Sequence, residues 1–173
     1  MDDAPLILTL RFDDTTFVRL DALRRAHFPP ARNHIPAHLT LFHALPGEEE
    51  AGVAAALAEV CAATPALPIR FSGLLPLGRG VALSVEAPAL RALRTGLAAR
   101  WSAWLTRQDA GGFRPHVTVQ NKVAPEVARE LLEQMRAAFE PWDARGEGLL
   151  LWRYRGGPWE AAGSFDFRGE LRP

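Results

Sequence analysis

Two short segments repeat one pattern of chemically active residues, His38-Leu39-Thr40 and His116-Val117-Thr118. Each segment lies in an apolar run with β-branched residues, which is typical of a β-strand. Because side chains two positions apart on a strand point to the same face, each histidine shares a face with its threonine. Two such pairs facing each other would place two acid/base groups and two hydroxyl donors around one small anion.

This set of side chains suits hydrolysis of a phosphate ester without a metal ion. An imidazole titrates near neutral pH, so one histidine can act as a base while the other, protonated, acts as an acid. The threonine hydroxyls can hydrogen-bond the non-bridging phosphate oxygens, where negative charge builds in the transition state. We therefore predict a catalytic quartet of His38, Thr40, His116 and Thr118. The near symmetry of the two pairs leaves open which histidine is the base.

The composition is that of an ordinary globular protein, and we expect one two-lobed domain over residues 1–173. The 20 basic and 20 acidic residues give a net charge of zero, which does not favour binding to a long nucleic-acid duplex. No apolar run approaches the ~20 residues that span a bilayer, and the N-terminus lacks the basic start of a signal peptide. We expect a cytoplasmic monomer without membrane partners. The single cysteine, Cys61, is predicted to be a buried thiol on a helix.

The predicted elements follow one order twice. A strand, a helix, a triplet-bearing strand, a second helix and another strand make up the first half, and the same order begins again at Val81. Strands are predicted at 6–12, 37–45, 67–75, 81–86, 113–123, 148–154 and 159–167. This pattern predicts an α+β, internally duplicated fold in which two mixed or antiparallel sheets face a central groove, with the helices outside.

Six further side chains are candidates for binding the substrate. Strand alternation puts four of them on the face of a catalytic histidine, where a cationic side chain could bind a phosphate, and the two on the last strands offer an aromatic ring that could stack on a base. For each, a place in the core or on the solvated surface remains the alternative. The candidates are Lys122, Gln120, Arg114, Phe42, Trp152 and Tyr154.

No metal or other cofactor is expected. His34 and His38 are four residues apart, but Pro36 between them argues against the helix that this spacing would need to bring both onto one metal. No further cluster of Asp, Glu or Cys supplies ligands at a known spacing.

The segments His38-Leu39-Thr40-Leu41 and His116-Val117-Thr118-Val119, half a chain apart, resemble the signature of the two-histidine (2H) phosphoesterase superfamily. That superfamily includes the 2′-5′ RNA ligase-like proteins and the RNA cyclic phosphodiesterases. The resemblance implies a bilobal fold with a central groove and metal-independent hydrolysis of 2′,3′-cyclic phosphates to 2′-phosphates, on RNA termini or small cyclic nucleotides. Two alternatives stay open: a non-catalytic module that binds nucleotides or RNA ends, and a 2′-5′ RNA ligase.

Overall fold

The computed structural model describes residues 3–171, which form seven strands and five helices. Two 3₁₀ turns, Pro30–Arg32 and Gly47–Glu49, lie in the connections. The strands are β1 (Leu6–Phe12), β2 (Thr40–Leu45), β3 (Leu67–Pro76), β4 (Val81–Glu86), β5 (His116–Gln120), β6 (Trp142–Arg153) and β7 (Glu160–Asp166). The helices are α1 (Asp14–His27), α2 (Glu50–Ala63), α3 (Pro88–Arg100), α4 (Arg107–Ala110) and α5 (Pro125–Ala138).

Residues at the helix ends explain where the helices begin and stop. Asp13 caps α1, because its carboxylate accepts a hydrogen bond of 2.9 Å from the backbone N–H of Thr16. That helix ends just before Pro29, which cannot continue it. Helices α3 and α5 begin at Pro88 and Pro125, where the missing N–H of proline costs nothing.

All seven strands belong to one antiparallel sheet of order β2-β1-β6-β3-β4-β5, with β7 paired to β6. The strand order is symmetric about the middle of the sheet. From one edge inward the strands are β2, β1 and β6, and from the other edge they are the corresponding β5, β4 and β3. The two halves of the sequence are therefore related as predicted, and the α+β class is confirmed. Pairing of β3 with β6 joins the two three-stranded groups into a single sheet. The third strand of each group, β6 or β3, comes from the opposite half of the chain.

Strand β2 contains a bulge immediately after the threonine of its triplet. Thr40 pairs with Thr9, whereas Leu8, the residue before Thr9 on β1, pairs with Phe42. Leu41 is therefore an extra residue. The bulge reverses the alternation of side chains. Phe42 therefore leaves the face of Thr40 and is fully buried against Trp101, with ring centroids 5.3 Å apart. The prediction that Phe42 contacts the substrate is wrong for this reason.

Strand β5 contains the matching bulge. Thr118 pairs with Ala82, whereas Val81 pairs with Gln120, so Val119 is the extra residue. Gln120 turns inward as Phe42 does and is only 4% exposed. Its predicted contact with the substrate is corrected in the same way, and the shared bulge is a further sign of the duplication.

The core lies between the sheet and the helices. It includes Phe71, stacked on Trp142 at 4.1 Å, and the buried Trp101. As predicted, Cys61 is buried on α2, and burial raises the pKa of its thiol to about 12. Within residues 3–171, no helix is both long and apolar enough to cross a membrane.

Candidate active site

The two triplet histidines are held by the same local hydrogen bond. Nδ1 of His38 lies 2.9 Å from the carbonyl oxygen of Pro36, and Nδ1 of His116 lies 2.8 Å from that of Arg114. A carbonyl oxygen can only accept, so Nδ1 carries the proton in both rings. In each neutral ring Nε2 then has the free lone pair. Nε2 is therefore the atom of each ring that can exchange a proton with a ligand.

The pKa of His38 is lowered to about 4, so its imidazole is neutral at pH 7. Burial is the largest cause, since it disfavours the charged ring. The positive charges of Arg24, His116 and His43 lower the pKa further, while the hydrogen bond to Pro36 acts in the opposite direction. The influence of His116 also means that the fold brings the two histidines within electrostatic range of each other.

The four residues of the predicted quartet lie on the two terminal strands of the sheet. Thr40 and Thr118 are on β2 and β5, His116 begins β5, and His38 lies two residues before the start of β2. All four side chains are partly exposed, whereas the residue between each histidine and its threonine, Leu39 or Val117, is fully buried. Each triplet thus turns its polar side chains toward solvent and anchors itself through its central apolar residue.

A cavity of about 300 Å³ adjoins His38 on one side. Trp159 covers the histidine in an edge-to-face contact, with ring centroids 4.8 Å apart. Trp152 lies behind it, 6.1 Å from Trp159, and its Nε1 donates a hydrogen bond of 2.9 Å to Oγ1 of Thr9. Phe17, Ile35, Pro36 and Pro158 add apolar surface to the walls. Flat aromatic walls of this kind suit a planar ring such as a nucleobase.

Of the six predicted binding residues, Trp152 lines this cavity. Tyr154 lies just beyond β6 and is 44% exposed, and its backbone N–H donates to the carbonyl of Pro5. Arg114 is exposed, and its backbone carbonyl accepts the bond from the His116 ring. Lys122 lies in the turn after β5 with a φ of 63°. The predicted alternation does not reach Lys122, because the strand ends at Gln120.

Trp159 and Arg24 belong to the site although no prediction included them. Trp159 follows the turn Gly156-Gly157-Pro158, and its place in a hairpin gave no signal of a contact with His38. Arg24 did carry a signal, because it lies four residues after Leu20 on the buried stripe of α1, where an unpaired charge is costly. Its Nε donates to Oδ1 of Asn33 at 2.9 Å, and its Nη1 donates to the carbonyl of Thr118 at 3.0 Å.

A second buried arginine supports the other triplet strand. Arg94 on α3 donates from Nε to the carbonyl of Leu41 at 3.3 Å, so each half of the chain braces the triplet strand of the other. Beside it, the buried carboxylate of Asp109 accepts hydrogen bonds from the backbone N–H groups of His43 and Ala44. Burial alone would raise the pKa of Asp109, but these bonds and one from the His43 ring lower it. The same contacts fix the end of β2 that follows the bulge.

Residues 3–171 contain no group of three or more His, Cys, Asp or Glu side chains arranged to hold a metal ion. The site as described consists of two imidazoles, two hydroxyls, a buried guanidinium and an aromatic cavity.

Comparison with known proteins gives one family match and several structural matches. The sequence model of the 2′-5′ RNA ligase superfamily matches residues 12–158. The crystal structure of TT0787 of Thermus thermophilus is 20% identical, with a TM-score of 0.68 over 96% of this chain and 100% of that one. E. coli LigT complexed with 3′-AMP is 17% identical, with a TM-score of 0.60 over 96% and 99%. At these identities the structural likeness shows the fold. No protein with a curated function gives a significant match by sequence.

Proposed function

Since the chain belongs to the 2′-5′ RNA ligase superfamily, we propose that it is a phosphodiesterase that opens 2′,3′-cyclic phosphates to 2′-phosphates. The substrate is the cyclic end of an RNA or a small cyclic nucleotide. His38 and His116 are the acid/base pair, and Thr40 and Thr118 bind the phosphate oxygens.

One observation carries this proposal: the repeated bond from Nδ1 to a backbone carbonyl in both triplets. It gives both rings the same tautomer and leaves both Nε2 atoms for a ligand. A histidine that serves only the core would be expected to lie sealed among apolar neighbours with its ring nitrogens satisfied internally. Both of these rings are instead partly exposed.

The lowered pKa of His38 supports its assignment as the base. Its neutral Nε2 takes a proton from water as the water oxygen bonds to phosphorus. His116, in its imidazolium form, gives a proton from Nε2 to the 3′ oxygen as the bond from phosphorus to that oxygen breaks. The products are a 2′-phosphate and a free 3′ hydroxyl. The hydroxyls of Thr40 and Thr118 donate to the non-bridging oxygens, which gain charge in the transition state.

The aromatic cavity beside His38 supports a nucleotide substrate. We assign Trp152 and Trp159 to the base, because stacking on an aromatic ring binds any nucleobase. Crystal structures of E. coli LigT with 3′-AMP, with NADP+ and with ATP favour a nucleotide ligand for this fold.

The test is incubation with a panel of 2′,3′-cyclic nucleotides and oligoribonucleotides ending in a cyclic phosphate, with 3′,5′-cyclic nucleotides as the negative set. Products are identified by mass and by the position of the phosphate. We expect 2′-phosphates, formed without added metal and with a bell-shaped dependence of rate on pH. His38→Ala and His116→Ala should each lose about 10²- to 10⁴-fold in kcat. His27→Ala, at the end of α1, is the matched control.

Normal turnover in either triplet variant would overturn the assignment of the acid/base pair. Formation of 3′-phosphates would overturn the assigned leaving group. Tight binding without any product would favour the binding module.

Ligation is the second candidate, because the matched family is named for it. With the same residue roles, an acceptor 5′ hydroxyl in place of water would attack phosphorus, and the 3′ oxygen would leave, which joins the 2′,3′-cyclic end to the acceptor. Adding an oligoribonucleotide with a free 5′ hydroxyl to the assay, and searching for a 2′-5′ linked product, distinguishes the two nucleophiles.

A further inference from the structure

Helix α1 is hydrogen-bonded to the backbone at both triplets. Oδ1 of Asp21 accepts a bond of 3.1 Å from the N–H of Ala37, the residue before His38. Nη1 of Arg24 donates a bond of 3.0 Å to the carbonyl of Thr118. Residues three apart on a helix share a face, so one turn of α1 holds the two triplets, which come from opposite halves of the chain.

Burying the charged side chain of Arg24 at this place in the fold costs free energy. It is 4% exposed, and its guanidinium lies 4.0 Å above the ring of Phe28. Among residues 3–171, no carboxylate lies within ion-pair distance of it. The guanidinium is held by its hydrogen bonds to Asn33 and Thr118 and by the ring of Phe28, and the more distant carboxylate of Asp21 attracts it. An apolar side chain would stabilise the interface of α1 and β5 at lower cost, so stability alone does not explain the arginine.

We propose that Asp21 and Arg24 are positioning residues: one turn of α1 sets the separation of the two His-x-Thr triplets, and Arg24 places a fixed positive charge beside them. This inference rests on the proposed function, because it concerns how the same site is assembled.

The charge of Arg24 acts on His38 together with other groups. Arg24 lowers the pKa of His38, and so do His116 on β5 and His43 on β2. Arg11, Asp14 and His34 are the other titratable or charged residues that line the cavity beside His38. Arginine keeps its charge at every pH at which the protein is folded, unlike the two histidines. Its contribution is therefore a constant bias toward the unprotonated base, and it also attracts a phosphate anion.

The experiment separates position from charge with three variants and one control. Arg24→Lys keeps the charge but lacks the planar fork that reaches both Asn33 and Thr118. Arg24→Gln removes the charge and keeps one amide donor. Asp21→Ala leaves Arg24 in place but removes the bond to Ala37, together with the ion pair to Arg25 and the attraction of the carboxylate for Arg24. Arg94→Gln is the control, because Arg94 braces β2 from the opposite half and is not among the causes of the His38 shift. Melting temperatures establish which variants are folded.

Three readouts are measured: the titration of His38 by NMR without substrate, the affinity for inorganic phosphate, and kcat on the best substrate of the panel. Arg24→Gln should move the titration of His38 upward by roughly half a pH unit or more and weaken phosphate binding by at least about threefold. Arg24→Lys and Asp21→Ala should leave the titration in place and lower kcat by about tenfold or more. Arg94→Gln should lower the melting temperature without moving the titration.

An unchanged titration of His38 in folded Arg24→Gln would overturn the claim that the charge of Arg24 acts on His38. Values of kcat within about twofold of wild type in both Arg24→Lys and Asp21→Ala would overturn the positioning role. If Arg24→Gln does not fold, Arg24→Met replaces it for the titration. The titration and phosphate binding need no turnover, so a wild-type protein that hydrolyses none of the panel would refute the proposed function and leave this inference to be decided by those two readouts.

Discussion

Replacing His38 by glutamine should make the fold less sensitive to acid. The pKa of His38 is lowered from 6.5 to about 4 in the folded protein, chiefly by burial. The unfolded chain therefore binds a proton at this side chain between these two values while the folded protein does not. Stability from this group is complete above pH 6.5 and is lost as the pH falls toward 4. The full effect corresponds to about 3 kcal/mol, of which about 2 kcal/mol is lost at pH 5.

The assay is the free energy of unfolding in urea at pH 7.5 and at pH 5, for wild type and for His38→Gln. Other groups titrate alike in both proteins. The difference between the two proteins in the stability lost from pH 7.5 to pH 5 therefore isolates His38. We expect wild type to lose about 2 kcal/mol more than the variant over this interval. The partly exposed His27→Gln is the control and should follow wild type. Parallel losses in wild type and His38→Gln would refute the claim that burial keeps this imidazole neutral.

Three further predictions concern residues around the site. Trp159→Ala should raise the pKa of His38 toward 6.5, because water then reaches the ring; an unchanged NMR titration would contradict the covering role of Trp159. Trp152→Ala should raise KM for cyclic nucleotides by about 5- to 100-fold with a smaller change in kcat, and an unaltered KM would remove it from the base site. Asp109→Ala should cost about 1 to 3 kcal/mol in urea, since it removes the buried carboxylate that accepts from the partly buried N–H groups of His43 and Ala44, whereas the exposed Asp143→Ala should cost about 1 kcal/mol or less.

The strands and their order could be predicted because they depend on local patterns. Observed β1 and β4 coincide with the predicted ranges 6–12 and 81–86, where apolar residues run between clear turn signals. The repeat of elements was also predictable, since it needs only the order in which strand-like and helix-like hydrophobic patterns follow one another along the chain. The pairing of each histidine with its threonine on the exposed side of a strand follows from the two-residue repeat alone.

The remaining features depend on contacts between distant residues. The bulges at Leu41 and Val119 are set by the pairing with β1 and β4, so simple alternation misplaced Phe42 and Gln120. The first half of β6 is mostly polar and contains Gly146, and it was not predicted because its partner strand, β3, comes from the other half of the chain. The position of Arg24 on the stripe of Leu20 indicates burial, but its partner, the carbonyl of Thr118 on β5, lies in the other half of the chain and has no local signal.

The exchange of β3 and β6 between the two halves has a consequence for how the protein is made. Leu6 pairs with Arg153, so the sheet cannot be completed until nearly all of the chain has left the ribosome. Neither half carries all three strands of its own group, because β6 completes the group of β2 and β1, and β3 completes the group of β4 and β5. A chain nicked in the turn at Gly78 should therefore yield two pieces that regain activity only by complementing each other.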